Sequence, residues 1–461
     1  MDLAFLTDNL SILLFFGTIA VVIAGFPVAF ALAGTALLFA WLGAALGSYD
    51  LRDFDFLPLR IYGIMTNEVL VAILLFVFMG VTLEKSQVAE QMLRAIGLAM
   101  RRVRGGLGYG VLVVGALLAA STGIVGATVV AMGLLSLPVM LQAGYDKRLA
   151  TGIICASGTL GQILPPSILL IILGDALANA YVKAQQKAGN FGYEPVSILD
   201  LFAGAVLPGL VLVLLYALFI ALVAWRRPSA CPSLEAEAGE RVTFWALAGS
   251  MAPAIALIVL VLGSILGGIA TATEAAGVGA SGALVLAALY RRLTWSVFRD
   301  ILRASLKMTA MIFMIFVGAS IFSIVFRGLG GERVVHHILN AMPGGETGAI
   351  LFVLALIFFL GFVLEYAEIV LIVIPTVGPI LLQGDVDPVW FGIMVAVCLQ
   401  TSFLTPPFGF ALFYLGGVVP RGVTTLHIYR GIMPFVALQL LALAAIFLLP
   451  ELTTWLPNQL F

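Results

Sequence analysis

Two runs of residues carry chemistry that a packed helix does not need. One is Ala156-Ser157-Gly158-Thr159-Leu160-Gly161-Gln162-Ile163-Leu164-Pro165-Pro166-Ser167, and the other is Gln400-Thr401-Ser402-Phe403-Leu404-Thr405-Pro406-Pro407-Phe408-Gly409. Each proline removes an amide donor and clashes with the preceding turn, so a Pro-Pro pair breaks a helix and frees carbonyl oxygens. In hydrocarbon such oxygens must find a partner. A bound cation and a small polar solute would supply one, because hydroxyls and carbonyls are the oxygen ligands that hard cations prefer. The competing account is a pair of proline kinks in packing helices. Two breaks at matched positions, each beside hydroxyls, weigh against it.

Two further segments face this chemistry. Ala120-Ser121-Thr122-Gly123-Ile124-Val125-Gly126 lies midway through residues 106–142, and Gly361-Phe362-Val363-Leu364-Glu365-Tyr366-Ala367-Glu368 lies midway through 345–383. Both segments are too long for one crossing and are read as re-entrant hairpins, whose tips expose unpaired backbone groups at membrane depth. Ser121, Thr122 and Gly123 with Gly158 and Gly161 are the expected ligands of one sodium, and Glu365 with Gln400 and Ser402 those of another. Ser157, Thr159, Ser167, Thr401 and Thr405 are the expected solute contacts. Among other carboxylates within spans, Glu68 and Asp175 fall near span ends and are expected at the interface. Glu274 is balanced between a structural hydrogen bond and a site role.

The elements that position these groups follow from composition. Of 461 residues, 62% are hydrophobic and 10% charged, against roughly 25% charged in soluble domains. Long charge-poor stretches exceed the roughly 20 residues that span a bilayer as helix, so the class is an all-α polytopic membrane protein in contact with lipid. Spans are expected near 10–25, 27–46, 61–84, 148–178, 197–225, 244–266, 268–290, 306–326, 389–417 and 430–449. Segments 86–104 and 291–305 are basic, amphipathic and too polar to cross, and are read as interfacial arms. The stretch 181–195 reads as a long polar loop. The first nine residues hold Asp2 and Asp8 but no Lys or Arg, unlike a signal peptide. A net charge of −1 without a basic tract gives no reason to expect nucleic acid. Three cysteines and three histidines show no metal-binding spacing. No zinc-protease or serine-hydrolase motif is present, so no enzyme activity is expected.

With both hairpins re-entrant from opposite faces, 17 of the 23 Lys and Arg residues fall on one side. Positive residues favour the cytoplasm, so both termini are expected in the periplasm. The chain also repeats itself. A shift of 241 sets Pro138, Asp146, Pro165 and Pro166 on Pro379, Asp387, Pro406 and Pro407, and a shift of 243 sets Gly25 and Gly34 on Gly268 and Gly277. The expected organisation is a first repeat at 1–225 (hairpin 106–142, broken helix 148–178), a cytoplasmic linker at 226–243 and a second repeat at 244–461 (hairpin 345–383, broken helix 389–417). The second repeat begins on the opposite side from the first, the inverted-topology arrangement of secondary transporters.

At these residues the chain resembles the large, DctM-type membrane subunit of tripartite ATP-independent periplasmic (TRAP) transporters. The resemblance covers nearly the whole chain and rests on Gly25-Phe26-Pro27, Phe78-Met79-Gly80, Ser121-Thr122-Gly123, Thr273-Glu274-Ala275-Ala276, Thr405-Pro406-Pro407 and, most specifically, Ser157-Gly158-Thr159-Leu160-Gly161 with Pro165-Pro166-Ser167. Ala272 departs from it, standing where a proline is common. The resemblance implies an elevator-type, sodium-driven importer in the bacterial inner membrane, working with a small four-helix DctQ-type subunit and a periplasmic DctP-type solute-binding protein. It implies a small organic anion, mostly a carboxylate, as solute. A stand-alone ion-coupled carboxylate or anion transporter is the alternative.

Overall fold

Where water is scarce, a backbone must satisfy its own amides, and the helix does so within one segment. The computed structural model describes residues 7, 9–86, 88–100, 102–123, 125–233, 244–407 and 409–461, and every regular element among them is helical. Seven described helices are long and apolar enough to cross a membrane, eight if the pair Leu51–Met65 and Glu68–Lys85, bent by 51°, counts as one. The expected spans are present as helices. Several fall below the 18-residue length because they are short or interrupted, such as Leu10–Ile23 and Pro388–Leu404.

The chain divides into two compact units, and each draws on both halves of the sequence. Unit one comprises Met1–Leu70, Ile172–Ser197 and Lys307–Phe391, and unit two comprises Val71–Ile171, Ile198–Leu306 and Gly392–Phe461.

Unit two centres on the Lys147–Thr159 helix, against which Gly106–Thr122, Val125–Gln142, Phe410–Gly416 and Thr425–Leu448 all pack. Glycine permits the approach. A methyl at Gly115 would lie 2.6 Å from Ser157 Cβ, and one at Gly158 would lie 2.5 Å from Val129 Cγ2. Small residues at such crossings let backbones approach closely, which is how helices associate in lipid. In unit one, Gly345–Leu360 packs on Tyr366–Leu381, and Gly331–Asn340 packs on both.

The positions that the sequence shift pairs have matching local roles. Asp146 caps Lys147–Thr159 by accepting from the Arg148 N–H at 2.8 Å, and Asp387 accepts from the Trp390 N–H at 2.8 Å at the start of Pro388–Leu404. Gly25 and Gly268 both take positive φ, +92° and +65°, where their helices end, a conformation that costs glycine little.

Two expectations change. The polar stretch from residue 181 is mostly helix, because Ile168–Ala188 continues through it. Gln185 Nε2 donates to the Leu382 carbonyl at 3.0 Å, so these polar side chains satisfy backbone without ending the helix, and the loop shrinks to 189–197. The proposed arm at 291–305 is not separate. Residues Trp295–Gly328 form one 34-residue helix, since neither Gly nor Pro interrupts the chain before Gly318. Residues 86–104 do contain a discrete helix, Val88–Ala99, which packs on Gly106–Thr122 and Phe244–Leu266. The linker expected at 226–243 falls mainly on residues 234–243, outside the described residues.

Candidate functional site

The missing amide of Pro166 frees the carbonyl of Gln162, four residues earlier. Ser167 supplies the replacement, its Oγ donating to the Gln162 carbonyl at 2.8 Å. The chain leaves the Lys147–Thr159 helix through a 3-10 turn, Leu160–Gln162, and restarts at Ile168–Ala188. At the second break, Pro406 frees the Ser402 carbonyl, which accepts from the Thr405 N–H at 3.1 Å. The Thr405 carbonyl accepts from the Gly409 N–H at 3.1 Å, and Tyr429 Oη donates to the Pro407 carbonyl at 2.7 Å. Both Pro-Pro bonds are cis.

The 106–142 segment is a helical hairpin, Gly106–Thr122 packed on Val125–Gln142, and Gly123 turns the chain with φ +61°. A methyl at Gly123 would lie 3.1 Å from the Ile168 amide, so the tip abuts the residue that restarts the broken helix. At its base, the Tyr145 phenol accepts from the Gly108 N–H at 3.3 Å, covering an amide that the first turn leaves free. Burial pushes this phenol up to about 12, so it stays neutral. The second break joins the same neighbourhood. A methyl at Gly126 would lie 2.9 Å from the Tyr414 ring, and Cys155 Sγ donates to the Ala411 carbonyl at 3.8 Å.

Unit two thus gathers Gly123, Ser157, Gly158, Thr159, Gly161, Ser167, Gln400, Thr401, Ser402 and Thr405. The side chains of Ser121 and Thr122, and all of Ile124, lie outside the described residues. The hydroxyls are already engaged: Ser157 donates to the Ile153 carbonyl, Thr159 to Ala156 at 2.9 Å, Thr401 to Val397 at 2.7 Å, Ser402 to Leu399 at 2.7 Å and Thr405 to Thr401 at 2.8 Å. A hydroxyl that gives its proton to its own helix keeps lone pairs free to accept or to coordinate.

The sharper signal is a pair of amides. Gln162 and Gln400 are both 0% exposed, and among the described residues neither Nε2 nor Oε1 of either side chain has a hydrogen-bond partner. Leaving such groups unmade costs about 1–3 kcal/mol each, so buried orphans call for an explanation. Sequence reasoning assigned Gln400 but passed over Gln162. Its place three residues before a Pro-Pro pair was the available sign.

The intramembrane carboxylates have structural partners. Glu274 Oε2 accepts from the Thr271 N–H at 2.8 Å, and Thr271 Oγ1 accepts from the Glu274 N–H at 3.2 Å. This capping box starts Ala272–Leu289, so Ala272 occupies the first helical position that prolines favour. Glu365 belongs to unit one and caps Tyr366–Leu381, with buried Glu368 reaching back to its N–H at 2.9 Å. Glu68 opens the Glu68–Lys85 helix. Asp175 is half-buried, accepting from Asn67 Nδ2 at 3.0 Å, and so is no plain surface group.

Asp175 also lines a feature of unit one that sequence reasoning missed. A cavity of about 380 Å³ is edged by Arg60, Lys183 and Arg327 with Asn67, Asn179 and Ser323. In this lining three cations face one carboxylate. Outside the lining, Glu332 pairs with Arg327 Nε at 2.8 Å and lies 3.8 Å from Lys187 Nζ, so Arg60 and Lys183 are left against Asp175 with one positive charge in excess. The available sign was that all four cations belong to the minority of six assigned to the side opposite the other 17.

The family described as "Tripartite ATP-independent periplasmic transporter, DctM component" matches residues 15–452. The chain is 30% identical over 456 residues, 98% of its length and 100% of the relative's, to the C4-dicarboxylate TRAP transporter large permease protein DctM of Rhodobacter capsulatus. It is 26% identical, over 96% of its length and 97% of the relative's, to the sialic acid TRAP transporter large permease protein SiaM of Vibrio cholerae. In structure it is similar to the Alcanivorax borkumensis YdaH transporter, with a TM-score of 0.61, 14% identity and 88% of each chain covered, a likeness of fold.

Proposed function

Because this chain belongs to the DctM family of tripartite ATP-independent periplasmic transporters, we propose that it is the large permease of a sodium-coupled importer of a small organic anion. In this reading it sits in the bacterial inner membrane with both termini in the periplasm. It receives the solute from a DctP-type periplasmic binding protein and works beside a DctQ-type small subunit.

The observation that carries the reading is the pair of orphaned amides beside matched helix breaks. Sodium binding between the Gly123 tip and Gly158 to Gly161, and solute or a second ion at Gln400 to Thr405, would convert their desolvation cost into ligand affinity. Ligand-dependent closure of such a site suits an elevator motion, in which the two helix breaks and the Gly123 tip of unit two travel together. The excess positive charge around Arg60, Lys183 and Arg327 supports an anionic solute, as do the carboxylate solutes in the names of the two relatives.

The test is uptake of labelled organic anions into proteoliposomes holding this chain, the small subunit and the binding protein, driven by an inward sodium gradient. Uptake indifferent to that gradient would refute the coupling. Uptake by this chain alone would favour the stand-alone alternative. For topology, cysteines at exposed Phe191 and Ser233 should label from opposite sides. Same-side labelling would overturn the arrangement.

A further inference from the structure

The transport reading leaves unused a cleft of about 940 Å³ in unit two. Four guanidiniums line it. Arg148 opens Lys147–Thr159, Arg226 closes Ile198–Arg226, Arg227 follows, and Arg430 stands near the start of Thr425–Leu448. Asp146 is the one carboxylate in the lining, and it is committed to capping its own helix. Among the described residues none of the four arginines forms an ion pair.

The cleft is built rather than incidental. The turn Pro228–Ala230 supplies one wall, fixed by the Asp146 N–H donating to the Ala230 carbonyl at 2.9 Å and by the Gly105 N–H donating to Cys231 at 3.0 Å. An apolar track leads to it. Leu210, Leu214, Leu218 and Leu222 are 55%, 57%, 55% and 41% exposed, and steps of four, each turning by about 40°, make them a stripe that winds along the helix. The next step is Arg226. From Leu210 to Arg226 the track rises roughly 24 Å, longer than the ~15 Å of one leaflet's hydrocarbon. Beside its end, Trp225 is 77% exposed, as suits an aromatic ring at the headgroup level.

We propose that cleft and track together bind one anionic phospholipid. Its phosphate sits among Arg148, Arg226, Arg227 and Arg430, and an acyl chain lies along the leucines. Guanidinium matches phosphate by paired hydrogen bonds, and basic pockets between membrane helices suit anionic headgroups. A zwitterionic lipid offers the same tails but no net charge. The proposal stands whether or not the chain carries a solute.

Native mass spectrometry of the delipidated full chain in detergent, titrated with phosphatidylglycerol and phosphatidylcholine, tests it. Each guanidinium near a headgroup is worth roughly fivefold, so the intact chain should hold phosphatidylglycerol at least about tenfold tighter. R148Q/R226Q/R227Q/R430Q should bring the two lipids within about twofold, and R148K/R226K/R227K/R430K should keep most of the preference. If the Gln variant fails to fold, the intact chain still decides: rising salt should erode the preference, and inorganic phosphate should not displace the lipid. Equal retention of both lipids would overturn the proposal, and is the result expected if Glu235, Glu237 and Glu240 of the linker neutralise the arginines instead. A preference unchanged in the Gln variant would overturn it too, as would displacement by inorganic phosphate, which would make this a free-anion site.

Discussion

The two Pro-Pro breaks share a sequence plan but sit in different environments. Residues 160–167 are buried apart from a partly exposed Leu164, and the helix that follows runs 21 residues, Ile168–Ala188. At the second break Thr405 and Pro406 are partly exposed, Pro407 is exposed, and the following helix is the 7-residue Phe410–Gly416. A freed carbonyl in the first break must find a partner inside the protein, and Ser167 provides it. One in the second has a tyrosine at its edge and open surface beyond. The same break is therefore a buried turn in one place and an accessible turn in the other. On this view the first break suits ion binding, and the second suits the step in which a solute enters or leaves.

Crowding should separate the breaks most strongly. Gly158→Val drives a side chain into Val129 and should destabilise the protein by about 1–3 kcal/mol while abolishing uptake. Gly416→Ala, beyond the second break, meets nothing within 4 Å and should leave both unchanged. Denaturant unfolding in mixed micelles alongside proteoliposome uptake checks the pair. Equal effects would mean that packing at the two breaks does not differ.

Next comes Gln162→Met. If the orphaned amide is a ligand held at a cost, removing it should stabilise the sodium-free protein by about 1–3 kcal/mol and weaken sodium dependence of uptake roughly tenfold. Gain of stability with loss of function marks a site that carries strain for its task. A loss of stability would show that the amide is structural, satisfied by a buried water.

Much of this was legible beforehand because its cause is local. A proline pair breaks a helix wherever it falls, and Asp146 and Asp387 cap because a short carboxylate before a helix reaches its free amides. The spans follow from apolar length alone. What escaped is non-local. Gln162 is recognisable only once every neighbour that might pair with its amide is known. Arg60, Lys183 and Arg327 are separated by more than a hundred residues, and only folding gathers them about one cavity. Glu274, balanced in the sequence between a structural hydrogen bond and a site role, takes the first through Thr271, three residues upstream, in a helix cap.

The smallest expected effects bear on how each break settles its carbonyls. Ser167→Ala removes the only described donor to a buried Gln162 carbonyl, and an unsatisfied buried acceptor costs about 1–3 kcal/mol. Tyr429→Phe also removes one hydrogen bond, to the Pro407 carbonyl. Pro407 is exposed, so water or a headgroup can replace the phenol, and the loss should lie near the low end of the about 0.5–1.5 kcal/mol of an ordinary hydrogen bond. Measured in the same micelles, Ser167→Ala should cost more than Tyr429→Phe. The reverse order would place the second break in the drier environment, and ion binding would then have to be sought there, around Gln400, with the Gly123 tip left to pack.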